Sequence, residues 1–210
     1  MRFTFILFFI CFAASTIVAQ HSIELTSGIT ISKLKLEDDR VFSETNSGSS
    51  IFINLGYQYE FGEKKKIALV ASVEFLKRNS KLALNSNLGV FGESSIRFMQ
   101  FGFSPKIRYF FSSKENSFRP FAGVGPTLRY NFEATDSGFD IDEEGYNEFI
   151  VGGVYNVGFN WSLSDKFGVL FEAGLMNDFQ DNFSNFHSLE GNDDGKFFDY
   201  YIRTGVSYSF

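Results

Sequence analysis

From Ser50 to Phe61 the chain alternates hydrophobic and polar residues. Ile51, Ile53, Leu55, Tyr57, Tyr59 and Phe61 fall on one side, Ser50, Asn54, Gly56, Gln58 and Glu60 on the other, and only Phe52 is out of place. Successive side chains of a strand point to opposite faces, so a period of two predicts a strand with one apolar face. The same period recurs around Ile23–Ile31, Ile67–Phe75, Met99–Phe111, Phe118–Phe132, Phe149–Trp161, Phe167–Leu175 and Phe198–Phe210. One alternating run is a weak signal, but eight in succession predict an all-β chain of eight antiparallel strands.

The connections alternate as regularly as the strands. The stretches 62–66, 112–117 and 162–166 are short, whereas those near 33–49, 77–95, 133–147 and 177–196 are long. Short turns on one side and long loops on the other are the layout of an up-and-down transmembrane barrel, with the turns periplasmic and the loops extracellular. An even number of strands then puts both termini in the periplasm.

Composition supports the same layout. After residue 20 no run approaches the ~18 apolar residues of a membrane-crossing helix, yet 19% of the chain is aromatic. A barrel accounts for both, because each strand shows lipid only at every second residue. Interfacial rings are expected at one rim from Tyr59, Phe61, Tyr109, Phe111, Phe118, Trp161, Phe167, Tyr208 and Phe210, and at the other from Phe75, Tyr130, Phe132, Phe149, Phe198 and Tyr200. A net charge of −6 argues against a nucleic-acid partner. The one compact basic run, Lys64-Lys65-Lys66, falls in a turn.

Residues 1–19 have the form of a cleaved secretory signal: Arg2, an apolar run over 3–14, and Ala19 ahead of Gln20. The mature chain is then a single barrel domain over residues 20–210. It carries no cysteine, because Cys11 lies in the leader, and this removes disulfide and thiolate chemistry.

The final strand, Arg203-Thr204-Gly205-Val206-Ser207-Tyr208-Ser209-Phe210, ends on an aromatic. Its pattern of polar, x, Gly, x, x, aromatic, x, aromatic resembles the closing strand of Gram-negative outer-membrane proteins. The stretch Arg119-Pro120-Phe121-Ala122-Gly123-Val124-Gly125-Pro126 is similar to the Pro-aromatic-x-Gly-x-Gly strand of PorT-like barrels. The whole mature chain thus resembles the small PorT-like and OmpX-like outer-membrane β-barrels. That resemblance implies an integral outer-membrane protein without defined catalytic residues or cofactors. Its partners would be outer-membrane lipid, the barrel assembly machinery reading Gly205, Tyr208 and Phe210, and other envelope or secretion proteins.

By parity Glu24, Glu60, Glu74, Lys106, Arg108, Arg119, Arg129, Glu172 and Arg203 face the lumen. Charges inside a narrow barrel must pair, and counting along the last two strands puts Glu172 and Arg203 at one height, which predicts an ion pair. An eight-stranded interior is wide enough only for side chains or one small ligand, so a general solute pore is disfavoured. The long loops are acidic. Asp140, Asp142 and Glu144 resemble the first half of a calcium loop, but Val151 stands where its closing glutamate belongs. His187 and Ser188, with Asp181 or Glu190, could compose a triad only if the loop enforced a geometry that sequence neighbours do not. The expectation is a non-catalytic barrel acting through loop or rim contacts. The alternative is a lipid-active enzyme or small-ligand barrel using the last loop or the lumen.

Overall fold

The computed structural model describes residues 20–36, 42–86, 89–141, 145–183 and 195–210. The expected leader lies outside them. The described strands are β1 (Gln20–Leu36), β2 (Phe42–Phe61), β3 (Ile67–Ser86), β4 (Gly89–Phe110), β5 (Phe118–Asp136), the two-residue β6 (Phe139–Asp140), β7 (Phe149–Ser162), β8 (Phe167–Asp178) and β9 (Gly195–Ser209). Every pairing is antiparallel, and the order β4-β3-β2-β1-β9-β8-β7-β5 closes through β4–β5 into an eight-stranded barrel. The closing strand lies against the first, from Ser22↔Ser209 to Leu36↔Gly195. Beyond β5, β6 is the return arm of a small hairpin at Ser137 and Gly138.

The alternation read from the sequence is the alternation of the wall. On β2, Ile51, Ile53, Leu55 and Tyr57 are 45–68% exposed, whereas Phe52, Asn54 and Gln58 are buried inside. Phe52, which breaks the sequence pattern, is a lumen-filling ring at 1% exposure. Tyr59 differs from its expected place at the lipid boundary: it is buried, its ring 5.3 Å from that of His21 and 6.3 Å from that of Phe61.

The strands run further than the sequence indicates. A barrel strand needs roughly 9–11 residues to cross a bilayer, yet β3 has 20 and β4 has 22. Much of the stretches 33–49 and 77–95, expected as loops, is therefore strand. The surplus sits at the long-loop end, because the turns at the other end are fixed and tight. In the turn after β2, Gly62 takes φ 86° and Lys65 φ 47°, and Lys65 N donates to Gly62 O at 3.0 Å. Glycine adopts that left-handed conformation without the steric cost of a Cβ.

The ladder between β4 and β5 has a gap. It pairs Phe103 with Leu128 and Ile107 with Val124, and between them Pro105 stands opposite Pro126. Neither proline has an N–H to give. An ideal Cβ on Gly125 would lie 2.0 Å from Pro105 O, so only glycine allows the two backbones to approach this closely.

Candidate functional site

The described part of the lumen holds six buried bases (Arg78, Lys106, Arg108, Arg119, Arg129 and Arg203) and six buried acids (Glu24, Glu60, Glu74, Glu172, Asp178 and Asp199). An ion stripped of water needs a partner within a few ångströms, and the strands deliver these in three tiers.

The middle tier is built on Glu172 of β8, which is cross-strand partner to Arg203 of β9. Arg203 Nη2 lies 2.6 Å from Glu172 Oε1, and Tyr201 Oη and Asn156 Nδ2 donate to the same oxygen at 2.6 and 2.8 Å. Arg108 of β4 reaches Glu172 Oε2 at 3.3 Å and donates to Glu24 Oε1 and Gln58 Oε1 at 2.5 Å each. Glu74 stands between Arg203, at 3.8 Å, and Lys106, at 3.9 Å. Seven of the eight barrel strands, all but β5, thus meet in one network.

Towards the short turns, Arg119 Nη1 donates to Glu60 Oε1 at 2.8 Å and its Nη2 to Lys65 O at 2.6 Å. Towards the long loops, Asp178 accepts from Arg78 at 2.6 and 3.1 Å, from Arg129 at 2.5 Å and from Asn182 at 2.8 Å, while Arg78 also reaches Asp199 at 2.5 Å.

Apolar side chains pack between these tiers, and Gln58 bridges the lower two by accepting from Arg108 at 2.5 Å and donating to Glu60 Oε1 at 2.8 Å. Ala68, Phe110, Phe121 and Leu170 pack between the lower and middle tiers. Phe52, Leu76, Val154, Met176 and Tyr201 pack between the middle and upper tiers. A cap of Leu34, Ile96, Phe98, Ala134, Tyr146, Phe183 and Phe197 covers the upper one, with Phe98 at the centre and its ring 5.6–6.0 Å from those of Tyr146, Phe183 and Phe197. Guanidinium groups lie against the rings of adjoining layers: Arg119 is 3.8 Å from the Phe110 centroid, Arg108 4.1 Å from Phe121, Arg203 5.3 Å from Phe52 and Arg78 5.0 Å from Phe197. A guanidinium so placed is attracted to the ring face while its edge stays available to carboxylates. Among the described residues, paired charges and packed rings thus alternate along the lumen.

All nine charged residues given inward parity in the sequence are buried in this lumen. Of the upper tier the sequence anticipates Arg129 alone: Arg78 and Asp178 fall in stretches expected as loops, and Asp178, expected among solvated loop acids, is buried at 5% exposure. The parity of Glu74, extended through Leu76, leads to Arg78, and that of Glu172, extended through Met176, leads to Asp178.

Asp140 is exposed on β6, while Asp142 and Glu144 lie outside the described residues. Among the described residues no group of three or more potential metal ligands gathers. His187, Ser188 and Glu190 also lie outside them, and Asp181 is paired with Lys196 at 3.5 Å. In the closing strand, Gly205 faces Thr26 across the β1–β9 seam and Phe210 N donates to His21 O at 3.0 Å. The Tyr208 ring packs 5.1 Å from Phe167 and 5.3 Å from Phe210.

Comparison with solved structures gives the same architecture. The outer membrane protein OprG from Pseudomonas aeruginosa matches with a TM-score of 0.56 at 16% identity, over 91% of this chain and 96% of that one. Neisserial surface protein A matches with a TM-score of 0.50 at 11% identity, over 90% and 97%. At these identities the likeness is one of fold. No curated protein sequence matches the chain. The family model described as the outer membrane protein beta-barrel domain matches residues 4–210, and with a closed eight-stranded antiparallel barrel that is apolar outside and charge-paired inside, the chain belongs to that outer-membrane family.

Proposed function

We propose that this protein is a non-catalytic, non-conducting barrel that works through what its long-loop end touches, as a surface protein or as a subunit of an envelope or secretion assembly. The observation that carries this reading is the filled lumen, in which three charge-balanced tiers alternate with apolar layers under an aromatic cap. A passage needs an open column and a ligand site needs a cavity; this interior offers side chains bonded to one another. In this reading the short turns and both termini face the periplasm, the long loops face outward, and the assembly machinery engages the closing strand at Gly205, Tyr208 and Phe210.

The contact surface would then be the rim carrying Phe139, which is 79% exposed on β6. A photo-crosslinking residue placed at Phe139 in cells, with Trp161 at the opposite rim as control, tests this. A discrete adduct from position 139 supports the reading. A barrel that crosslinks to no protein from position 139, and whose loops can be shortened without consequence for the envelope, contradicts it.

A further inference from the structure

At the short-turn end, a cleft of about 720 Å³ opens between the turn of residues 62–66 and that of residues 111–117. Four lysines line it, Lys64, Lys65, Lys66 and Lys114, against two acids, Glu63 and Glu115. In the described lumen six buried bases are balanced by six buried acids; here no described carboxylate lies within ion-pair distance of any of the four ammoniums. The walls are fixed by the fold. Phe110 N donates to Lys66 O at 2.7 Å, Lys66 Nζ donates to Phe111 O at 3.5 Å, and Arg119 in the lumen holds Lys65 O at 2.6 Å.

The cations are crowded as well as unpaired. Partial burial lowers the Lys114 ammonium below its ordinary value; Glu60 opposes this shift, and Lys65 and Arg119 add to it. An anion entering the cleft would relieve that repulsion. The cleft also sits at the edge of the apolar wall: Phe111 lines it while being 59% exposed, and its ring stacks edge-on at 5.5 Å with that of Tyr109, 45% exposed on the same outer face. A ligand that satisfies both halves has an anionic head and an apolar tail. Interfacial rings and lysines are the groups that meet such a molecule at a membrane surface.

We propose that this cleft is a headgroup site for one anionic glycerophospholipid, with the phosphate held by Lys64, Lys66 and Lys114 and an acyl chain laid along Phe111 and Tyr109. The proposal rests on the reading that the short turns face the phospholipid leaflet, but binding itself can be measured without that orientation.

The test is native mass spectrometry of the refolded barrel in detergent, titrated with phosphatidylglycerol, phosphatidylcholine or inorganic phosphate, for the wild type and for K64Q/K66Q/K114Q. The expected result is one retained phosphatidylglycerol on the wild type, with retention at least about tenfold weaker in the variant, three surface cations having been removed. Phosphatidylcholine should bind more weakly than phosphatidylglycerol, and phosphate alone should not be retained. Equal retention of phosphatidylglycerol by the two proteins overturns the site. So does phosphate binding as well as the lipid, which would indicate a free-anion site. If the variant fails to fold, as judged by the heat-dependent gel shift, the wild type alone decides: equal retention of the two lipids overturns the proposal. Orientation is tested separately, with S113C labelled by an impermeant maleimide on intact cells. Labelling would refute the periplasmic placement while leaving the lipid measurement standing.

Discussion

Glu172 and Arg203 sit directly opposite one another on β8 and β9, and Arg203 Nη2 lies 2.6 Å from Glu172 Oε1 with both side chains excluded from solvent. Removing one member of a buried pair leaves the other charged and uncompensated, at a cost of about 3–5 kcal/mol. Glu172→Gln and Arg203→Gln should each destabilise the barrel on that scale in urea unfolding from lipid vesicles. The double variant should lose less than the two singles together, by about 0.5–3 kcal/mol of coupling. Simple additivity would show that the pair contributes no mutual energy.

Asp178 is the sole described acid that receives both upper-tier arginines, Arg78 and Arg129. In Asp178→Asn only Asp199 remains to balance them. The expected loss is about 3–5 kcal/mol, from two guanidinium groups sharing one carboxylate. A loss below about 1 kcal/mol would mean that water enters this tier and solvates the arginines.

The β1–β9 seam depends on a bare backbone at Gly28. An ideal Cβ there would lie 2.0 Å from Ile202 O and 2.6 Å from Arg203 Cα. Backbone cannot swing aside as a side chain can, so Gly28→Ala should force the closing strands apart and cost about 1–3 kcal/mol. The unfolding midpoint and the gel mobility of unheated protein report this. Wild-type behaviour in both would show that the seam has slack.

The β4–β5 ladder should be the weakest line in the wall, because Pro105 and Pro126 oppose each other where Phe103↔Leu128 and Ile107↔Val124 flank the gap. Amides with few intact neighbours in a ladder open at low free energy. Hydrogen exchange in detergent or nanodiscs should be faster for the β4 and β5 amides that point across this gap than for their counterparts across β8–β9. Uniform protection around the ring would contradict it.

The wall was legible in the sequence and, Arg129 aside, the charges of the upper lumen were not, for a physical reason. Within the bilayer one face must be apolar, so Ile51, Ile53 and Leu55 announce strand and side together. Above it both faces carry polar side chains, and Lys77-Arg78-Asn79-Ser80-Lys81 shows no hydropathy contrast although it continues β3 unbroken. Parity survives where hydropathy fades. Carrying the inward positions past Glu74 and Glu172 would have reached Arg78 and Asp178. Phe52 was legible as an exception but not as a plug, since one ring on the polar face takes its meaning from Tyr201, 5.4 Å away on another strand. The cap around Phe98 joins residues from β1, β4, β5, β9 and two loop segments, and no local pattern encodes such a meeting.

Planar-bilayer recording of the refolded wild type in molar potassium chloride shows whether the lumen is closed by its own side chains. A stack of paired charges and aromatic layers predicts a flat baseline with no reproducible unitary step, while the gel shift confirms folded protein in the same sample. Stable, repeated single-channel openings from that folded protein would contradict it.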